Sequence, residues 1–259
     1  MNDDNTKVKI MELREIMKTI SDDMISDEKE GLPQPPMEKP CGGSKLISLT
    51  KDFDNVVKNN NYLDLLNSRT SKRIYTDEAL SQDELAFLLW ATQGVKQVVG
   101  KQKKATLRTV PSAGARHPFE SYLFINRVDG LEPGLYHYLA LEHKLEFIKS
   151  VENQVDRLSE AFSGQTFFAN AAVCFVWTVI PYRSEWRYGK IAPKYALVDV
   201  GHVCQNLYLA SEAISCGACA IGAYSQELAD GLLGLDSTPS FENDNEFIIY
   251  AASVGKLKL

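Results

Sequence analysis

Apolar residues along this chain follow two rhythms, and the switches between them predict its elements. Ser81-Gln-Asp-Glu84 is a capping box, in which a serine hydroxyl and a glutamate carboxylate satisfy each other's backbone amides at a helix start. Leu85, Leu88 and Leu89 follow at helical spacing and give that helix one apolar face. Residues 121–126 (SYLFIN) read as a short strand. Gly130 and Pro133-Gly134 then turn the chain into a second strand, LYHYL, which predicts an antiparallel hairpin. A helical stretch near 151–162 leads into the strand AAVCFVWTVI, after which Pro193 is the expected first residue of a long helix. Leu197, Val200, Gly201, Cys204, Tyr208 and Ser211 recur on one face of it, and that face is expected to be buried. A last helix spans 226–233 with Ser225 as its N-cap, and FIIYAASVG closes the pattern as a strand. Strands and helices interleave, but the hairpin argues against a purely parallel sheet, so the fold class is α+β.

Ahead of residue 63 the pattern is different. Ile10, Leu13, Ile16, Met17 and Ile20 share a face of an amphipathic helix, and GLPQPPMEKPCGGS then supplies four prolines and three glycines. Residues 1–62 therefore read as an N-terminal helix and a Pro/Gly-rich arm or linker, and 63–259 as one folded domain. Of the formal charge of −6, residues 1–40 carry −4, from ten acidic and six basic side chains. The body, at about −2, shows no bias toward nucleic acid or membranes as partners.

With 259 residues, 44% of them hydrophobic, the chain can bury a substantial core. No apolar run is long enough to span a bilayer, and the first twenty residues scatter charges where a secretory signal would need an apolar stretch, so a cytoplasmic location is expected. Five cysteines, an odd number, fit free thiols in a reducing compartment. Cys216-Gly-Ala-Cys219 has no second matched pair, so buried thiols are expected there rather than a metal site, and His202 reads as structural.

Common nucleotide motifs fail on inspection. No G-x-G-x-x-G follows a strand, and Gly94 to Gly100-Lys101 has one residue too many for a P-loop and Gln102 where a hydroxyl is needed. Four clusters do carry chemistry. Arg69-Thr-Ser-Lys-Arg73 can hold a phosphate through Arg69 and Ser71 while Arg73 points at another electron-rich group. Pro111-Ser-Ala-Gly-Ala-Arg-His-Pro118 combines little bulk with hydroxyl and amide donors, which lets a flat ligand approach the backbone. Gly217 to Ala223 (GACAIGA) is expected to be a small-residue loop exposing amides, and Gly255-Lys256 is the fourth cluster.

Taken in order, these clusters resemble the FMN-dependent nitroreductase superfamily from about Leu63 to Lys256. TVPSAGARHPFESYLFIN, KYALVDVGHVCQNLYLASEA and GACAIGAY are similar to its SagB-type dehydrogenase branch, which includes azoline oxidases. The resemblance implies a nitroreductase-like fold, with a central mixed or antiparallel sheet flanked by helices, in an intertwined homodimer binding FMN. It implies that Arg69, Thr70 and Ser71 hold the phosphate with Lys256, and that Arg73 lies near the pyrimidine edge. Ser112, Ala113 and Gly114 are implied to line the ring from the second subunit. Gly222 and Ala223 are implied to face flavin N5, and Gln165 to contact the ring edge. Lys194 and Tyr195 fall where azoline oxidases have a Lys-Tyr pair that deprotonates substrate carbon. The expected reaction is oxidation of a ring or C–N group in a small molecule or peptide, by hydride transfer to N5. An NAD(P)H-dependent nitro or quinone reductase is the alternative enzyme, and a non-catalytic FMN-binding subunit of a modifying complex the alternative of another class.

Overall fold

The computed structural model describes residues 25–42, 45–102, 104–235 and 245–258. The helix expected through Ile10 to Ile20 lies outside the described residues. Eight helices are named: α1 (Asp27–Glu30), α2 (Tyr62–Ser68), α3 (Gln82–Gln93), α4 (Gln154–Ala161), α5 (Thr166–Ala169), α6 (Tyr182–Tyr188), α7 (Ala192–Ala213) and α8 (Gln226–Leu233). The strands are β1 (Leu46–Ser48), β2 (Val95–Val99), β3 (Ala105–Arg108), β4 (Phe119–Ile125), β5 (Gly134–Leu139), β6 (Lys144–Lys149), β7 (Val173–Val179), β8 (Cys216–Ile221) and β9 (Phe247–Lys256).

Seven strands form one sheet in the order β1-β6-β5-β4-β7-β9-β8, antiparallel at every pairing, while β2 and β3 form a separate hairpin. Every residue of β4 and β7 is buried, because both faces of the sheet are covered. Strand alternation sorts their side chains into two cores. Leu123 and Phe175, opposite each other, face α3 and α7, whereas Phe124 and Cys174 face α4, α5 and α8. The architecture is α+β, a large antiparallel sheet flanked by helices.

Local signals place the helices. Ser81 Oγ accepts the Glu84 N–H at 3.1 Å and Glu84 returns a carboxylate oxygen to the Ser81 N–H at 2.8 Å, which opens α3. Helix α7 has 22 residues and is about 33 Å long at ~1.5 Å per residue, enough to cross the whole sheet. It begins at Ala192, one residue before the expected Pro193. Val200, Cys204 and Ser211 on its face are buried as expected, but Gly201 is exposed, Tyr208 is half-buried, and Leu197 is 51% exposed.

One other expectation is corrected. Residues 217–221 are not loop but the greater part of strand β8, and the loop starts at Gly222. The basic stretch between Lys96 and Arg108 is the β2–β3 hairpin. Residues ahead of 63 also contribute to the packing. Leu32 carbonyl accepts the Trp186 indole N–H at 3.0 Å, Gln34 and Lys104 exchange two hydrogen bonds, and β1 pairs with β6 at the sheet edge. Between them the arm crosses a buried polar cluster. Lys39 donates its main-chain N–H to Glu120 at 2.7 Å, and Gly42 donates to Glu146 at 2.7 Å. Burial alone would raise the Glu120 carboxyl, but His137 and Arg183 hold it down at about 2. No helix among the described residues is long and apolar enough to cross a membrane.

Candidate active site

The Arg69–Arg73 segment is built onto the β8 edge. Arg69 caps the C-terminus of α2, its N–H returned to Leu65 carbonyl at 3.1 Å. The chain then runs extended, with Ser71 in a parallel bridge to Ala218 and the Lys72 N–H donated to Ala218 carbonyl at 2.9 Å. Two glycines allow so close an approach. A Cβ at Gly217 would lie 2.6 Å from the Lys72 side chain, and one at Gly255 would lie 2.6 Å from the Tyr75 ring.

Tyr208, on α7, sits at the centre. Its hydroxyl is 2.9 Å from Ser71 Oγ and accepts the Ala220 N–H at 2.8 Å, while the Arg69 guanidinium lies 5.4 Å from its ring centroid. Arg73 stacks over Phe167 of α5 at 5.7 Å. Next to that helix, Gln165 donates to Ala223 carbonyl at 3.0 Å and so fixes the loop that begins at Gly222. Arg69, Ser71, Arg73, Gln165, Gly222 and Ala223 are thereby gathered in one region, with Thr70 exposed in the same turn. Among the described residues no carboxylate lies within ion-pair distance of Arg69 or Arg73. Lys256 lies on β9 opposite Cys216, the first residue of β8. Its ammonium is engaged by Glu84, and although burial would lower it, that carboxylate raises it above the ordinary lysine value.

A second region forms at the other end of α7. The Ala113 N–H is donated to Asp199 Oδ2 at 3.0 Å, and Ser112 Oγ accepts the His117 N–H at 2.9 Å. Burial raises the Asp199 carboxyl against the hydrogen bonds from Ser112 and Ala113 that lower it. Gly114 has a φ of +55°, and a Cβ there would lie 2.5 Å from the Tyr188 hydroxyl, so glycine is needed on both counts. Tyr188 meets the Tyr195 ring edge-on at 4.7 Å, and Lys194 precedes Tyr195 in the first turn of α7, both half-buried. Ser112, Ala113 and Gly114 thus share this end with Lys194 and Tyr195. Asp199 and Tyr208 are nine residues apart, so the two regions are about 13 Å apart along the helix axis.

Sequence reasoning placed Tyr208 in an apolar stripe and missed its hydroxyl. Asp199 was missed as well, since an isolated acid in an apolar helix carries no local signal of its partner. The C-x-x-C thiols lie three residues apart on a strand, so they point to opposite faces of the sheet. Burial pushes Cys216 up to about 12 and also raises Cys219.

A large antiparallel sheet flanked by helices is the fold this chain shares with solved nitroreductase structures. Residues 66–256 match the model of the Nitroreductase family, and the chain belongs to that family, a family of oxidoreductases. It is 33% identical over 162 residues to a Methanocaldococcus jannaschii protein named as a nitroreductase, covering 62% of this chain and 78% of that one. It is 29% identical over 134 residues to the trifolitoxin-processing protein TfxB of Rhizobium leguminosarum bv. trifolii, covering 50% of this chain but 36% of that protein's length. In structure it is similar to a chain of the Escherichia coli microcin synthetase complex McbBCD with truncated pro-MccB17 bound. The TM-score there is 0.58 at 17% identity, covering 98% of this chain and 93% of that one.

Proposed function

We propose that the protein is an FMN-dependent oxidoreductase of the SagB type, acting as a homodimer on a ring or C–N group of a small molecule or peptide in the cytoplasm. The observation that carries the reading is the acid-free cluster of Arg69, Ser71 and Arg73 held on the β8 edge by Tyr208. A guanidinium such as that of Arg69, without a contacting carboxylate and beside the Ser71 hydroxyl, fits a phosphate monoester, which it binds with charge-assisted hydrogen bonds. Arg69, Thr70 and Ser71 would hold that phosphate, and Arg73 with Gln165 and the Gly222-Ala223 backbone would face the ring. Lys256, implied as a further phosphate contact, pairs with Glu84 in this structure.

Bound FMN supplies two-electron redox chemistry by taking a hydride. The protein's part is to bind, orient and move protons. Lys194 Nζ takes the proton from the substrate carbon, with Tyr195 beside it, and Ser112, Ala113 and Gly114 line the ring of the partner's site. An apolar surface exposed among the described residues supports the dimer. Leu197 and Val198 are 51% and 47% exposed on α7, beside a cavity of about 420 Å³ between α6, α7 and β9 lined by Pro181, Pro193, Phe247 and Ile249. The likeness to TfxB, a trifolitoxin-processing protein by its name, supports a modifying role of the SagB type.

A second reading, an NAD(P)H-dependent nitro or quinone reductase, is favoured by the Methanocaldococcus relative, which is named as a nitroreductase. Release of the chromophore from purified protein tests the shared part, FMN being the expected product; FAD, or no flavin after reconstitution, refutes both readings. Anaerobic addition of NADH or NADPH separates them. Rapid bleaching of the flavin favours the reductase, and oxidation of an azoline with oxygen as acceptor favours the dehydrogenase. A flavoprotein with neither activity would be the FMN-binding subunit of a modifying complex.

A further inference from the structure

The cleft beside the β2–β3 hairpin has a volume of about 430 Å³ and touches the second region described above at Pro111, Ser112 and Ala115 and through His117, which donates to Ser112. Arg108, Lys96, Thr109 and His117 line it with them, and no Asp or Glu does. Arg108 is the unusual member. It is 6% exposed, and its guanidinium makes two hydrogen bonds, from Nε to Thr106 Oγ1 at 3.1 Å and from Nη1 to Gln93 Oε1 at 2.9 Å. Both acceptors are neutral. Among the described residues no carboxylate lies within ion-pair distance of it.

The acids that act on Arg108 from farther away are otherwise engaged. Glu120 is bonded to Arg183 and His137, and Glu38 accepts the Leu141 N–H at 2.8 Å. Burial is accordingly the largest influence on the Arg108 guanidinium and lowers it to about 10, so it remains charged at neutral pH. His117 next to it is held down at about 3 by burial and by Arg108, so this ring adds no charge. A buried cation without a contacting counter-charge is costly, and a planar fork with donors to spare is the shape that takes an oxyanion bidentately.

We propose that this cleft binds the anionic group of a small ligand, a carboxylate or a phosphate, on Arg108 with Lys96 at the rim. The site does not rest on the flavin reading, since Arg108 lies on β3 and the Arg69–Ser71 cluster lies on the β8 edge. If Ser112 lines the flavin ring, an anion bound here lies against that same segment, where a substrate's acidic group would be held.

Calorimetric titration at constant ionic strength, with inorganic phosphate in one arm and acetate in the other, tests the proposal on the purified full chain. Wild type is expected to bind at least one probe saturably, and the arm that responds distinguishes phosphate from carboxylate. Arg108→Gln is expected to weaken that binding by about tenfold or more, and Lys149→Ala, an exposed lysine of β6 that does not line the cleft, to leave it unchanged. Arg108→Gln equal to wild type, loss of binding in Lys149→Ala, or no saturable heat from either probe overturns it. If Arg108→Gln does not fold, the exposed Lys96→Ala takes its place: weaker binding is expected, and unchanged affinity counts against the site.

Discussion

The Tyr208 hydroxyl joins Ser71 to strand β8: it lies 2.9 Å from the serine oxygen and accepts the Ala220 N–H at 2.8 Å. One phenol therefore ties together the loop after α2, the long helix and the sheet edge. Tyr208→Phe removes both bonds while keeping the ring under Arg69. Leaving a half-buried amide unpaired costs about 1–3 kcal/mol. The expected result is a lower melting temperature and FMN affinity weakened several-fold, read by fluorescence titration. Unchanged affinity would separate Tyr208 from the cofactor.

Arg69→Ala is expected to lose FMN far more than Lys101→Ala, which changes an exposed lysine before β3. Loss of a charge-assisted phosphate donor costs on the order of 1.5–3 kcal/mol, roughly ten- to a hundredfold in affinity. Equal dissociation constants for the two variants would remove Arg69 from the phosphate site.

Leu197→Glu places a charge on the exposed apolar stretch of α7. If that surface pairs two subunits, the variant is expected to run as a monomer in light scattering and to release its flavin, because on the proposed reading each ring would be lined from the second chain. A variant that remains dimeric and yellow would move the interface elsewhere.

Lys194→Ala is expected to keep FMN and the dimer but to lose turnover by roughly 10²–10⁴-fold, the usual worth of a positioned general base. Lys194 lies in the first turn of α7, outside the segments that would hold phosphate, so the cofactor should stay. Full activity on an azoline substrate would leave Lys194 without a part in the chemistry.

His117 makes the fold acid-sensitive. Its folded value of about 3 lies below the ordinary 6.5, so between those values the unfolded chain binds the extra proton. Stability is therefore complete above about pH 6.5 and falls as the pH drops toward 3, by about 3 kcal/mol between pH 6.5 and 4 at ~1.4 kcal/mol per unit. Denaturant melts across this range are expected to show a shallower decline in His117→Gln than in wild type. Parallel declines would assign the acid lability to other groups.

What could be read in the sequence was local. Ser81 with Glu84, Ser225 before α8 and the glycines before LYHYL act on their immediate neighbours, and these features lie where expected. Strand β8 escaped detection because CGACAI has no alternation of apolar and polar residues, and its place is set by pairing with β9. Strand β1 has three residues and depends on β6, about a hundred positions away. At the candidate site the donors Arg69, Ser71 and Arg73 were visible, but their gathering needs Gly217, Gly255 and Tyr208, each remote in sequence. Lys256 was visible as a cation, while its pairing with Glu84 was not.

The bridge from Ser71 to Ala218 bears on colloidal behaviour as well. Open sheet edges offer unpaired amides and carbonyls to other chains and are where aggregation starts. At one end of this sheet the exposed strand is only three residues long; at the other, Ser71 and Lys72 cap part of β8. Cofactor binding and protection of that edge would then fall to the same few residues, so a cofactor-starved preparation, with this segment loosened, is expected to precipitate through β8 before the core unfolds.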